Sequence, residues 1–198
     1  MECMDFLFLG WDDVQRLSEV VSDKIIDDGF KPDIIVAVSR GGFDPARVMS
    51  DQLGVRMLAS VQVAYYTGVN TTSETPEVVH PLNADVSGAD VLVVDDVADS
   101  GESLLAVKEY VDSLNPRRIK IATLHYKPWS ILEPDYYAEK AEKWIIYPWE
   151  PRETINNLCE ELQKDGLSYE DIKRRLLCIG FSDEQIRRYL SSYESSNT

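Results

Sequence analysis

Short apolar runs alternate with helical patterns over the first three-quarters of the chain. Four runs rich in Val, Ile and Leu lie at residues 34–38, 55–63, 91–94 and 119–124. Their apolar character predicts strands that are buried on both faces of a sheet. Between the runs, apolar residues recur every three or four positions, as for Val14, Leu17, Val21 and Ile25 in a helix predicted over 12–28. This alternation predicts an α/β fold, with a mostly parallel sheet flanked by helices.

Three segments depart from this alternation. Residues 67–77 are polar and lack periodicity, which predicts a long mobile loop. The run at 144–147 predicts a short strand near the sheet edge. After residue 150 the pattern is helical only, and it predicts three helices at 154–165, 169–178 and 183–192. We therefore expect a domain at residues 1–150 and a three-helix extension at residues 151–198.

Composition and charge narrow the classes of partner. The 198 residues are 44% hydrophobic, enough for a sizeable core, and no apolar run approaches the ~20 residues that span a bilayer. The net charge is −15, of which −13 falls in residues 1–150. So acidic a domain disfavours nucleic acid and anionic membranes as partners. Cys3, Cys159 and Cys178 have no metal-ligand spacing, so we expect free thiols and a cytoplasmic protein.

The segment 91–103 carries the clearest chemistry. Asp95 and Asp96 follow a buried strand, and ligands of open α/β sheets bind at that end of a strand. The turn that comes next opens a helix and consists of Asp99, Ser100, Gly101, Glu102 and Ser103. Backbone N–H groups at a helix start bind anions, and Gly101 lets the backbone approach closely. A site for a diol or a metal thus lies beside a site for a phosphate, which suits a sugar phosphate.

This segment resembles the PRPP-binding motif of the type I phosphoribosyltransferases, where PRPP is 5-phosphoribosyl 1-diphosphate. The resemblance implies the fold of that family over about residues 10–150. It implies that Asp95 and Asp96 bind the ribose hydroxyls and Mg²⁺, while residues 99–103 bind the 5-phosphate. It also makes Asp99 the acid/base at purine N7.

A second segment is similar to the pyrophosphate loop of bacterial xanthine–guanine phosphoribosyltransferases. Ser39, Arg40, Gly41 and Gly42 follow the first buried strand and precede a helix that begins near Asp44-Pro45. The resemblance implies that these four residues hold the pyrophosphate half of PRPP. It also implies a non-proline cis peptide in this loop.

Two further segments resemble the base site of the 6-oxopurine members. Lys127 follows the fourth strand, where those members place a lysine that donates to the 6-oxo group of the base. Trp144 corresponds to an aromatic residue that stacks on the purine, and Ile145 to one whose backbone meets its edge. Glu150 stands where relatives carry an Asp that helps hold Mg²⁺.

The polar segment 65–79 matches the flexible catalytic loop of the family, which closes over PRPP. Relatives begin this loop with Ser-Tyr, and this chain has Tyr65-Tyr66, so only Tyr66 matches. Closure would exclude water from a cationic ribosyl centre. The expected contacts during closure therefore differ from those of the relatives.

The resemblance implies an enzyme of purine salvage that transfers the phosphoribosyl group of PRPP to a 6-oxopurine, with Mg²⁺ as cofactor and a homodimer as its assembly. Hypoxanthine, guanine and xanthine remain alternatives as the base. A PRPP-sensing regulator is a further alternative, as is a transferase for adenine or a pyrimidine. The C-terminal helices either pack as an extension or bind a partner.

Overall fold

The computed structural model describes residues 6–68 and 71–196, and their side chains outside 66–75 and 191–196. Eight strands lie in this part of the chain: β1 (Phe6–Phe8), β2 (Ile34–Ser39), β3 (Leu58–Gly68), β4 (Thr71–His80), β5 (Asp90–Ala98), β6 (Arg118–Tyr126), β7 (Tyr136–Lys140) and β8 (Trp144–Ile146). The described helices are α1 (Trp11–Asp27), α2 (Phe43–Gln52), α3 (Glu102–Asp112), α4 (Pro151–Lys164), α5 (Tyr169–Ile179) and α6 (Asp183–Ser196).

Six of these strands form one sheet in the order β4-β3-β2-β5-β6-β7. All neighbours pair in parallel except β3 and β4. From β2 the chain continues to β3 on one side, whereas from β5 it continues to β6 on the other. The sheet therefore has a topological switch point between β2 and β5, where the connections after the two strands leave in opposite directions.

The apolar runs form the centre of this sheet. Val36 and Val38 of β2 pack with Val91 and Val93 of β5 and with the apolar side of α3. The predicted apolar face of the first helix is buried in α1. These features, with the C-terminal helices described below, confirm the predicted fold class.

The polar segment predicted as a mobile loop belongs to an antiparallel hairpin of β3 and β4, so that prediction is wrong for the described residues. Val63 pairs with Val78, Ala64 with Glu77 and Thr67 with Thr72, with register shifts near Gln62 and Tyr65. Threonine and valine favour extended backbone. Pro76 has no backbone N–H to donate. It is tolerated in β4 because β4 is an edge strand, with a neighbouring strand on one side only.

Contacts divide the described chain into two compact units, residues 12–142 and residues 6–11 with 143–196. In the second unit β8 pairs with β1, with Phe6 opposite Trp144 and Phe8 opposite Ile146. The strand predicted at 144–147 therefore exists, but it belongs to this small sheet and not to the edge of the large one. The contact division falls between residues 142 and 143, and the domain boundary expected at residue 150 stays a prediction.

The second unit has its own apolar core. This core is formed by β8 and the three C-terminal helices. Its buried members include Ile146, Ile155, Cys159, Ile172 and Leu176. Those helices confirm the predicted helical extension. Ser168 caps the start of α5, since its hydroxyl accepts from the Asp171 N–H at 3.3 Å.

The cysteines differ from the sequence expectation. Cys159 is a buried free thiol, as predicted, whereas Cys178 is disulfide-bonded. The prediction of free thiols throughout is wrong for Cys178, because spacing along the chain does not report which residues the fold brings together. No helix in the described part of the chain has the length and apolar character that crossing a bilayer requires.

Candidate functional site at the switch point

The connections after β2 and β5 meet at the switch point of the sheet. Ala37 pairs with Val94, so Ser39 and Asp96 each lie two residues further along their strands. A Cβ atom built on Gly41 would overlap the Asp96 carboxylate. The loop 39–42 and the acidic end of β5 are therefore in direct contact, at the sheet edge where ligands of this fold class bind.

The loop 39–42 is shaped by its two glycines. A cis peptide bond joins Ser39 and Arg40, in agreement with the resemblance. Gly42 caps α2, and a Cβ there would run into the backbone of Val38 and the carbonyl of Val94. The result is a compact turn leading into a helix N-terminus, where backbone dipoles favour an anion.

Asp95 and Asp96 are adjacent carboxylates in a largely buried strand end. Asp95 Oδ1 accepts from the Asp96 N–H at 3.0 Å. Burial, and after it the charge of Asp96, raises the pKa of Asp95 well above its usual range. A bound cation or hydroxyl donors would relieve this repulsion.

The donor set bears on the Mg²⁺ expected here. No group of three or more metal-binding side chains occurs among the residues that the structure describes. Mg²⁺, however, is commonly held by one or two carboxylates and completes its shell with water and substrate phosphates. Asp95 and Asp96 fit that pattern, and they do not fit a cation held wholly by protein.

The turn after β5 forms the second half of the site. Gly101 has φ +84° and caps α3, a conformation that favours glycine. A Cβ there would lie 2.9 Å from the backbone nitrogen of Leu132. The Ser100 carbonyl accepts from the Ile131 N–H at 2.9 Å, and its hydroxyl accepts from the Glu102 N–H at 3.3 Å. Residues 99–103 thus form an ordered turn at a helix start, as an anion site requires.

Tyr65 connects the hairpin to this turn. Its hydroxyl donates to the Glu102 carboxylate, and this hydrogen bond, with burial second, raises the pKa of Tyr65. Tyr66 lies in β3, and its side chain is outside the described part of the structure. The assignment of both residues to a closing loop stays a prediction.

Lys127 follows β6 and reaches the same edge of the sheet. Its backbone N–H donates to the Ala98 carbonyl at 3.0 Å, and only 4% of the residue is exposed. Burial lowers the pKa of its amine, and the negative charge of Asp99 opposes that shift. A poorly hydrated cation therefore lies next to the turn that carries Asp99.

Trp129 is a residue of this site that sequence reasoning missed. Its indole Nε1–H donates to Asp99 Oδ1 at 3.0 Å, and the Lys127 ammonium lies 5.3 Å from the centre of its ring. The only sequence signal was its position two residues after Lys127. Both contacts depend on how β5 and β6 end side by side.

The remaining predicted residues lie in the second unit. Trp144 is exposed and Ile145 is buried in β8. Glu150 precedes α4, and its carboxylate accepts from the Tyr147 N–H at 3.1 Å. The first unit thus brings together Asp95, Asp96, the turn 99–103, the loop 39–42, Lys127 and Tyr65. The base and metal roles of Trp144, Ile145 and Glu150 stay predictions.

Comparison with known proteins agrees with the family resemblance seen in the sequence. A purine phosphoribosyltransferase from Pyrococcus horikoshii is 38% identical, with a TM-score of 0.67 over 74% of this chain and 94% of that chain. A xanthine-guanine phosphoribosyltransferase from Gluconobacter oxydans is 32% identical over 142 residues, 71% of this chain and 82% of that protein. A Neisseria gonorrhoeae protein with bound ppGpp is 27% identical, with a TM-score of 0.64. The family model for the phosphoribosyl transferase domain matches residues 10–154, and the chain belongs to this family.

Proposed function

We propose that this protein transfers the 5-phosphoribosyl group of PRPP to N9 of a 6-oxopurine base and releases pyrophosphate. One observation carries the proposal. One edge of the sheet brings together Asp95 and Asp96, the turn 99–103, the loop 39–42 and Lys127. The purine and xanthine-guanine phosphoribosyltransferases to which the chain is similar support the same class of substrate.

PRPP has three parts, and the site has a matching region for each. In the proposal, residues 99–103 bind the 5-phosphate through backbone N–H groups and hydroxyls. Asp95 and Asp96 accept from the ribose hydroxyls, and the loop 39–42 holds the pyrophosphate. Bound Mg²⁺, held by the same two carboxylates, would neutralise charge on the leaving group; the part of Glu150 in holding it remains a proposal.

The transfer breaks the bond between ribose C1 and the pyrophosphate oxygen and forms the bond from C1 to purine N9, with inversion at C1. Positive charge develops on the ribose as the leaving group departs, and an acidic site favours that charge. The purine reacts as the tautomer that carries a proton on N7. Asp99 accepts this proton as N9 attacks, so that the nucleotide product is neutral at its base.

Lys127 gives the site its preference for a carbonyl at purine C6. An ammonium has three donors and no acceptor, so it matches the 6-oxo group and does not match the amino hydrogens of adenine. Its burial strengthens this discrimination, because water competes less for the cation. Stacking by Trp144 and edge contacts from Ile145 are further proposals, which rest on the family resemblance.

A competition assay tests the proposal directly. The purified protein is incubated with PRPP, Mg²⁺ and equimolar hypoxanthine, guanine, xanthine, adenine, uracil and orotate, and the monophosphates are identified by mass spectrometry. We expect 6-oxopurine nucleotides only. Products of adenine or a pyrimidine alone would overturn the base assignment. Tight PRPP binding with no product would favour a PRPP-sensing regulator.

Changing Lys127→Ala tests the base site separately from the PRPP site. Loss of a charge-assisted hydrogen bond of roughly 2 kcal/mol predicts a KM for the base about thirtyfold higher. The KM for PRPP should stay within a factor of two, since its proposed contacts lie elsewhere. Steady-state kinetics with each substrate varied in turn measures both, and a change confined to PRPP would contradict the assignment.

We also propose an assembly and a location for the protein. The homodimer is proposed from the family resemblance, and the cytoplasmic location from the composition and the cysteines. The disulfide at Cys178 removes part of the argument for a reducing compartment. Sedimentation of the purified protein tests the dimer.

A further inference from the structure

Trp129 contacts the two side chains that are proposed to meet O6 and N7 of the purine, Lys127 and Asp99. Its indole N–H donates to Asp99 Oδ1 at 3.0 Å, and its ring lies 5.3 Å from the Lys127 ammonium. Lys127 is buried, whereas Asp99 is exposed at the start of the turn 99–103. An exposed carboxylate samples several rotamers unless a partner holds it. The indole is such a partner.

The segment that carries Trp129 is itself held against the Asp99 turn. Lys127 N–H donates to the Ala98 carbonyl at 3.0 Å, and Ile131 N–H donates to the Ser100 carbonyl at 2.9 Å. A third bond, from Ser130 N–H to the Lys127 carbonyl at 2.9 Å, closes the turn between them. Trp129 therefore lies at the centre of a turn that is fixed to the Asp99 turn on both sides.

The geometry matches the edge of the proposed substrate. O6 and N7 are neighbours on one edge of a 6-oxopurine. A cation for O6 and a carboxylate for N7 must therefore be presented side by side, and one aromatic side chain in contact with both can set their spacing. Its ring face attracts the ammonium while its edge N–H binds the carboxylate.

We propose that Trp129 is a positioning residue for the transfer reaction: its indole holds Asp99 Oδ1, leaves Oδ2 for the N7 proton, and keeps Lys127 beside it. This inference rests on the proposed function. Trp129 itself transfers no proton. It acts through the placement of Asp99, so its removal should impair the chemical step more than the binding of PRPP.

Two substitutions separate the contacts. Trp129→Phe keeps a ring face for Lys127 and removes the N–H donor. We expect kcat to fall about tenfold, part of the 10²–10⁴ that a positioned acid/base contributes, with the KM for PRPP unchanged. Trp129→Leu removes both contacts, and it should also raise the KM for the base. Trp11→Phe is the matched control, because Trp11 is as exposed as Trp129, 57% against 55%, and its ring contacts Trp149 instead of Asp99 or Lys127.

A double-mutant cycle distinguishes positioning from a general structural role. In an Asp99→Asn background, Trp129→Phe should lower kcat no further, because the group on which it acts is already lost. An equal tenfold loss in both backgrounds would overturn the proposal. So would an unchanged kcat in the single variant. Equal melting temperatures of wild type and Trp129→Phe would exclude unfolding as the cause of the loss.

The contact also has a readout that needs no turnover. The indole ¹⁵N–¹H resonance of Trp129, assigned by its absence in Trp129→Phe, should shift in Asp99→Ala. It should stay in place in Asp51→Ala, because Asp51 is an exposed residue of α2 that pairs with Arg47. No shift in Asp99→Ala would overturn the proposal even in an active enzyme. Failure of the proposed function is recognised separately, as a wild-type protein that makes no nucleotide from any base.

Discussion

At the scale of single residues, Gly41 is a position where one added carbon should change function directly. A Cβ at Gly41 would overlap the Asp96 carboxylate, so in Gly41→Ala either the loop or the acid must move. We expect the KM for PRPP to rise at least tenfold, because a displacement near 1 Å in a binding site has effects of that size. Kinetics at saturating base with PRPP varied measures the change.

The matched control for that substitution is Gly54→Ala. Gly54 has φ +67° and no atom within 4 Å of the place where a Cβ would lie. Alanine there strains the backbone by about 1–2 kcal/mol and touches nothing. Stability should therefore fall while the KM for PRPP is kept. A wild-type KM in Gly41→Ala would show that the loop and Asp96 are not both needed for PRPP.

His125 predicts how stability changes in mild acid. The side chain is buried at the end of β6, and burial lowers its pKa to about 4 from an ordinary 6.5. The unfolded chain therefore takes up a proton below pH 6.5, whereas the folded protein does so only near pH 4. Stability should fall as pH falls between these values, by on the order of 3 kcal/mol in all.

The measurement is urea unfolding at pH 7.5, 5.5 and 4.5, for wild type and His125→Gln. Glutamine does not titrate in this range, so the variant should lose less stability than wild type between pH 7.5 and 4.5. Parallel losses in the two proteins would show that other groups cause the acid sensitivity.

At the scale of elements, Asp90 joins the starts of three strands. Its buried carboxylate accepts from Arg117 at 2.7–2.9 Å and from Arg118 at 2.5–2.9 Å, and Arg117 also reaches Asp33 at 3.0 Å. The two guanidinium groups hold the pKa of Asp90 well below its usual range. This stabilisation is present above the unfolded pKa of about 3.9 and is lost as pH falls below it.

Asp90→Asn should therefore destabilise the large sheet by about 2 kcal/mol, the usual scale for hydrogen bonds to a charged group. For a chain of this size that lowers Tm by roughly 4–8 °C. The control is Arg47→Gln, which breaks an exposed pair with Asp51 and should change Tm little. Differential scanning calorimetry at pH 7 compares the variants, and equal Tm values for the two would refute the role given to Asp90.

The same scale shows which elements sequence reasoning can predict. β2, β5 and β6 were predicted because strands buried on both faces must be apolar throughout. β4 was missed because an edge strand carries polar residues such as Thr71 and Glu77 without penalty, and its β-branched content was outweighed by its polarity. The pairing of β1 with β8 could not be predicted from local sequence patterns, since it joins residues more than 130 positions apart.

Much of the candidate site could be predicted because its parts are contiguous in sequence. Asp95, Asp96 and the turn 99–103 lie within nine residues, so only one strand and one helix start have to be predicted correctly to place them. Trp129 differs, because its role follows from the hydrogen bonds between the ends of β5 and β6. Contacts made across elements leave no short motif in the chain.

At the scale of the whole molecule, the net charge of −15 sets a condition on the proposed substrate. PRPP is a polyanion, so the long-range field of the protein repels it. Affinity must then come from short-range donors at the loop 39–42 and the turn 99–103, and from the cation proposed at Asp95 and Asp96. The glycines of both turns let neighbouring parts of the protein pack closely, since a Cβ at Gly41, Gly42 or Gly101 would overlap adjacent atoms.

The C-terminal helices have a structural consequence for β8, the strand predicted to carry the base contacts. Leu176 of α5 is fully buried in the cluster that includes Ile146 of β8. Leu176→Ala should destabilise the second unit by about 2–5 kcal/mol through lost packing. Leu177→Ala is the matched control on the same helix, since Leu177 is 43% exposed.

If Trp144 and Ile145 bind the purine, Leu176→Ala should also raise the KM for the base at temperatures where the second unit begins to unfold. The KM for PRPP should not change, because its proposed contacts lie in the first unit, 12–142. Kinetics from 20 to 50 °C, read beside a calorimetric scan, measures both effects. A destabilised second unit with an unchanged KM for the base would remove Trp144 and Ile145 from the base site and leave Lys127 and Asp99 as its only proposed contacts.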